Sequence, residues 1–176
     1  MLKQVAIFLF LLQCLYLIGA NLIPGDSSFE TGFGVWEEKG EIVSDTTFDG
    51  QRSLKLSDSI MTHAVFTLEP GQPYVMSCYL KAAEPDTVVH LQGYRTNWDG
   101  KYINKWVRPG TQWERFTLEI PPQAMGGHNK FWLLVKPEKQ RSIWLDAVQL
   151  EKGVKAAPYQ ASEAVSISSQ VLSPVT

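Results

Sequence analysis

The chain predicts an all-β protein, a two-sheet β-sandwich or jelly roll, on three observations. Gly and Pro recur at short intervals, 13 and 10 times in 176 residues. No segment sustains a 3.6-residue apolar period. Short runs of alternating apolar and polar residues are divided by Asp49-Gly50, Pro70-Gly71, Asp99-Gly100, Pro109-Gly110, Pro121-Pro122 and Gly126-Gly127, pairs whose backbone preferences suit tight turns. About eight strands at such spacing fit two stacked antiparallel sheets.

The elements follow in chain order. Residues 40–44 and 52–56 are short strands on either side of Asp49-Gly50, and 61–68 is a strand that ends at Pro70-Gly71. Residues 74–82 alternate cleanly: Tyr74, Met76, Cys78 and Leu80 on one face, Val75, Ser77, Tyr79 and Lys81 on the other. The first set is the expected core face. In 87–94, Val89 and Leu91 point inward and His90, Gln92 and Tyr94 outward. Residues 94–102 follow as a loop tip around Asp99-Gly100. Strands at 113–120, 131–136 and 143–151 complete the set, with Phe131, Leu133 and Val135 inward against Trp132, Leu134 and Lys136. The sequence holds no internal repeat.

Residues 1–20 read as a secretory signal: Lys3 supplies the positive start, Val5 to Ile18 the apolar stretch, and Ile18-Gly-Ala20 the small-residue end. The stretch is too short for a comfortable membrane span. Cleavage after Ala20 would leave a module at 21–161, with 162–176 as a linker or the start of a further domain. A secreted or cell-surface protein, free of the membrane after cleavage, is expected. Cys14 leaves with the leader, so Cys78 has no intrachain disulfide partner. It reads as a buried, inert thiol. The loss of Lys3 leaves one basic residue fewer than the 16 of the whole chain against 18 acidic ones. With no basic cluster, nucleic acid is not an expected partner.

The outward faces collect rings beside amides. Tyr79, Tyr94, Trp98, Tyr102, Trp106 and Trp132 are rings on or near these faces, with His90, Gln92, Arg95, Asn97 and Asp99 close by. Flat rings stack on apolar C–H faces, and planar polar groups pair with hydroxyls. A poly- or oligosaccharide is the ligand that needs both. The residues assigned to it are Tyr79, His90, Gln92, Tyr94, Trp98 and Trp132. Trp113 and Trp144 are assigned to structure, and His63 and His128 to the surface.

Several short marks occur in a telling order: Asn21-Leu-Ile-Pro with Ser28-Phe29-Glu30, the run 74–82, Trp113, and the closing 145–153 followed by Ala157-Pro-Tyr159. In these the chain resembles carbohydrate-binding modules of the family 4/9 type, which are β-jelly rolls with a galactose-binding-like fold. The resemblance implies a structural Ca²⁺ near the N-terminal strand. Its ligands there would be Glu30 and Asp146, with Asp49 or backbone oxygens of the 47–51 turn completing the set; oxygen donors from separate loops suit that ion. It also implies appendage to a glycoside hydrolase or other glycan-active protein, with catalysis in a downstream domain.

Two other functions compete. A glycosidase needs two carboxylates facing each other across a cleft, whereas Glu37, Glu38, Glu84, Asp86 and Glu114 lie singly along the sequence. Nucleophile elbows, zinc-protease motifs and phosphate loops are missing from it as well. The chain is therefore expected to be a binding module, not an enzyme. A structural or adhesive spacer that binds protein is the remaining alternative.

Overall fold

The computed structural model describes residues 20–97, 102–125 and 127–160. Among them ten strands pair into two antiparallel sheets: β1 (Glu41–Val43), β2 (Ser53–Leu56), β3 (Ile60–Met61), β4 (Phe66–Thr67), β5 (Tyr74–Ala82), β6 (Val89–Arg95), β7 (Tyr102–Val107), β8 (Glu114–Ile120), β9 (Lys130–Pro137) and β10 (Ile143–Lys152). The first sheet runs β1-β2-β10-β5-β8. The second runs β3-β9-β6-β7, with β4 also paired to β9. The expected all-β sandwich is the observed architecture.

Alternation in the long strands builds the space between the sheets. Leu145 lies between Leu54 and Leu80 in the first sheet, and Leu91 lies opposite Val135 in the second. All five are sealed from solvent, together with Met76, Cys78, Val89 and Leu133. The N-terminal segment closes the barrel of side chains with Ile23, Phe29 and Trp36, each fully buried. Burial pushes the Cys78 thiol up to about 12, so it stays protonated and inert, as expected.

Two elements differ from the sequence expectation. Residues 61–68 form no single strand. β3 and β4 pair separately with β9, because Thr62 turns its hydroxyl inward to accept the Leu133 N–H at 3.0 Å and His63 N donates to Val35 at 2.9 Å. The chain leaves the ladder there to pair with the N-terminal segment. The second difference is β7, which follows the expected loop tip at 94–102 and to which sequence reading assigned no strand. Its inward phase carries Lys105, which breaks the apolar pattern. On an edge strand that is tolerated, and Lys105 reaches across to Glu119 of β8 at 3.2 Å.

Leu145→Ala removes a side chain with 0% exposure from the centre of the core. It should cost about 2–5 kcal/mol in urea unfolding. Val154→Ala, at a residue 71% exposed, should stay within about 0.5 kcal/mol.

Candidate functional site

Two groups of chemistry-bearing residues lie on opposite sheets. The first is an acidic corner on the outer side of the first sheet. It begins with a local turn: Asp26 accepts the N–H of Ser28 at 3.0 Å and the N–H and hydroxyl of Thr31, the hydroxyl at 2.9 Å. These bonds hold its carboxyl below the ordinary range despite partial burial. Phe29 sits inside that turn with φ of 64°, which sends its ring to the core and turns Glu30 outward.

Glu30 then grips the chain between β1 and β2. Its carboxylate accepts the backbone N–H groups of Gln51 and Arg52, each at 2.9 Å to Oε1. A Cβ on Gly50 would stand 2.4 Å from that same oxygen, and Gly50 has φ of +61°. Glycine is required there on both counts. From the other side, Asp146 Oδ2 accepts the N–H of Phe48 at 2.8 Å and of Asp49 at 3.1 Å. Asp146 owes its aim to a bulge: the β10–β5 register shifts between Asp146 and Gln149, with Ala147 at φ of 47°.

The two acids expected to meet do converge on one loop. Asp146 is 0% exposed, and burial pushes its carboxyl up to about 6, with a further rise from Asp49. Burial, then the charge of Glu30, raises Asp49 as well. Among the described residues no group of three or more His, Cys, Asp or Glu side chains is set around one point as a metal cage. What the corner offers an ion is an all-oxygen donor set of few carboxylates.

Tyr79 belongs to this side. It stacks under Phe48 with ring centroids 3.3 Å apart and planes within 12°, and Arg115 lies over it at 5.8 Å. Sequence reading placed Tyr79 with the other rings, but the sheet topology separates them. Phe48 was missed, for want of any pattern in its loop. The rest of this outer face is covered by the closing segment: Glu151 Oε1 accepts Ala157 N and Gln149 Oε1 accepts Gln160 N, both at 2.9 Å. That cover is why Val75 and Ser77 are buried on the nominally exposed face of β5.

The second group lies on the outward face of the second sheet, centred on β6. Register sets three rows. Trp106, His90 and Lys136 form one; Asn104, Gln92 and Leu134 the next; Tyr94 and Trp132 lie in the third. His90 stacks on Trp106 with centroids 4.2 Å apart and planes at 29°. Its Nε2 bonds Glu138 Oε1 at 2.9 Å. Trp106, on the edge strand, is 57% exposed. Gln92 is 7% exposed, yet its amide makes no hydrogen bond among the described residues. Four of the six assigned residues (His90, Gln92, Tyr94 and Trp132) are thus brought together. Trp98 lies outside the described residues. Asn104, Trp106 and Glu138 join the face; the alternation of β7 was the available signal for the first two. Trp113 and Trp144, assigned to structure, are half-buried on the first sheet's side: Trp113 sets its edge toward Phe48 at 6.5 Å, and Lys55 and Lys81 lie 5.5 and 5.3 Å from the Trp144 ring. His63 is exposed as expected, whereas His128 is half-buried and bonds Thr96 at 3.1 Å.

Solved structures share this architecture. The CBM22-1 xylan-binding domain from Paenibacillus barcinonensis Xyn10C superposes with a TM-score of 0.58 at 18% identity, over 79% of this chain and 99% of that one. TmCBM61, solved in complex with β-1,4-galactotriose, gives 0.55 at 15% identity over 72% and 95%. The CBM22-1–GH10 modules of the Clostridium thermocellum endo-1,4-β-D-xylanase 10B, complexed with xylohexaose, give 0.55 at 16% identity over 73% of this chain and 28% of that one. The chain has the β-sandwich fold of carbohydrate-binding modules. No protein-family model and no curated protein matches its sequence.

The acidic corner makes a pH prediction. Asp146 has its folded value above the unfolded 3.8, so between about pH 4 and 6 the folded state holds a proton that the unfolded state has lost. Stability from this group therefore falls as pH rises through that window. Asp146→Asn should flatten the decline. Urea unfolding of both proteins across pH 3.5–7 checks it, and parallel curves would contradict the assignment.

Proposed function

We propose that the chain is a secreted, non-catalytic carbohydrate-binding module that holds a poly- or oligosaccharide against the outward face of the second sheet. The observation that carries this reading is the layout of that face: rings at both ends, with the Gln92 and Asn104 amides between. Sugar rings would stack on His90–Trp106 and on Tyr94 with Trp132, leaving hydroxyls to the amides, which donate and accept at once. Gln92 adds weight, since its amide makes no hydrogen bond to the described residues and can give a ligand's hydroxyls a donor and an acceptor at once. The shared fold supports the class. Trp98, in the connection between β6 and β7, stays a candidate for the same face, and Tyr79 is left to the other sheet.

The reading includes one structural Ca²⁺ at the corner of Glu30, Asp49 and Asp146. All donors there are oxygens, which suits a hard cation with six to eight ligands. Carbonyls of the 46–52 loop would supplement the carboxylates. The ion's charge would offset the burial that lifts Asp146. Its role would be stability, on the sheet opposite the saccharide. Export through the 1–20 leader and a glycan-active domain on the same polypeptide complete the proposal; tethering raises local substrate concentration without adding chemistry.

Affinity electrophoresis in gels containing xylan, β-1,4-galactan or β-glucan tests the function. At least one polymer should retard the protein, and Trp106→Ala or Trp132→Ala should weaken that retention about tenfold or more, as loss of a buried ring does. Equal mobility in every gel would favour a spacer. Sustained release of reducing sugar would favour an enzyme.

The ion has its own test. Added Ca²⁺ should raise the Tm and a chelator lower it, because a ligand of the folded state stabilises by mass action, while affinity in the cold stays unchanged. The rise should be larger at pH 7 than at pH 4.5, where Asp146 is protonated and a poor ligand. A Tm indifferent to both additions at pH 7 would remove calcium from the reading.

A further inference from the structure

We propose that Glu138 is a positioning residue for the saccharide face: it holds His90 in one tautomer, so that the ring presents a hydrogen-bond acceptor to a sugar hydroxyl beside Trp106. The inference rests on the reading of that face as a saccharide site. It adds a residue from outside the strands and states what His90 offers.

The geometry begins with the 2.9 Å contact between His90 Nε2 and Glu138 Oε1. An ionised carboxylate has no hydrogen to give, so the shared hydrogen sits on Nε2. In a neutral imidazole the other nitrogen then carries a lone pair. Nδ1 has no hydrogen-bond partner among the described residues. It is the one atom of the ring left to receive a hydroxyl.

Glu138 is held firmly enough for this task. It follows Pro137 at the end of β9, in a short 3₁₀ turn, Glu138–Gln140. Its own N–H donates to the Val88 carbonyl at 2.9 Å, and its carbonyl accepts from Arg141 N at 3.2 Å. The backbone of the acid is thereby tied to the residue that precedes β6, the strand carrying His90. Trp106 completes the line. Its indole lies against the imidazole at 4.2 Å on an edge strand with solvent on the other side. The His90 ring is the surface that orients it, so Glu138 acts on the indole through His90.

Nitrogen-detected NMR of the free protein, at a pH where His90 is neutral, reads the tautomer. The proton should be on Nε2 in the wild type and in Glu138→Gln, whose side-chain oxygen accepts the same N–H, and it should be distributed over both nitrogens in Glu138→Ala. Xylohexaose, β-1,4-galactotriose and cellohexaose serve as probes by titration calorimetry. For any probe that binds the wild type, Glu138→Ala should bind about tenfold more weakly and Glu138→Gln within about threefold of wild type, the span of one oriented hydrogen bond. A wild-type proton on Nδ1, or an alanine variant with unchanged affinity, would overturn the proposal. Failure of every probe and every polysaccharide to bind the wild type would instead overturn the saccharide reading and the ligand half of this inference. The tautomer would still decide whether Glu138 holds His90.

Discussion

In a β-strand every second side chain faces the same way, and in β5, β6, β9 and β10 that rule governs the molecule. Met76, Cys78 and Leu80 meet Leu91, Leu133 and Val135 in a dry layer because each set recurs at two-residue spacing. A slip of one residue in any of these strands would turn its apolar set to solvent and its polar set inward. The outward chemistry is therefore a consequence of the core. Once Leu91 is packed, His90 and Gln92 must face the other way.

The two outer faces are used differently. On the first sheet, two stretches of chain lie across the strands: the 46–52 loop, tied by Glu30 and Asp146, and the closing segment, tied by Gln149 and Glu151. Side-chain oxygens accepting backbone N–H groups do the tying; those of Asp146 and Glu151 are buried carboxylates, whose charge-assisted bonds are stronger than neutral ones. Its cost is concentrated at Asp146, whose charge is disfavoured by burial and by Asp49. On the second sheet, Trp106, Asn104 and Lys136 remain exposed, and the polar side chains there face one another's rows.

Much of this was legible in the residues. Turn dipeptides and alternation placed β5, β6, β8, β9 and β10 and the faces of β5, β6 and β9, since both depend on local backbone preferences. His90, Gln92 and Tyr94 were placed on one face by counting alone, and Trp132 by the same count in another strand. That these two strands are neighbours was not countable. Tyr79 shows the limit: its alternation was read correctly, yet β5 pairs with β8 and β10, in the other sheet. β7 escaped notice because an edge strand does not need a continuous apolar face, and Lys105 interrupts it.

The sequence by itself determined the secondary structure type and the inward sets of β5, β6 and β9, because these follow from spacing and from short-range turn chemistry; Glu30 and Asp146 were named through the family resemblance. Only the tertiary structure decided which strands share a sheet, which outer face is covered by passing chain, and that Glu138, His90 and Trp106 stand in line. The last of these joins residues separated by 16 to 48 positions, the strand pairings reach farther, and no local preference encodes the distance between them.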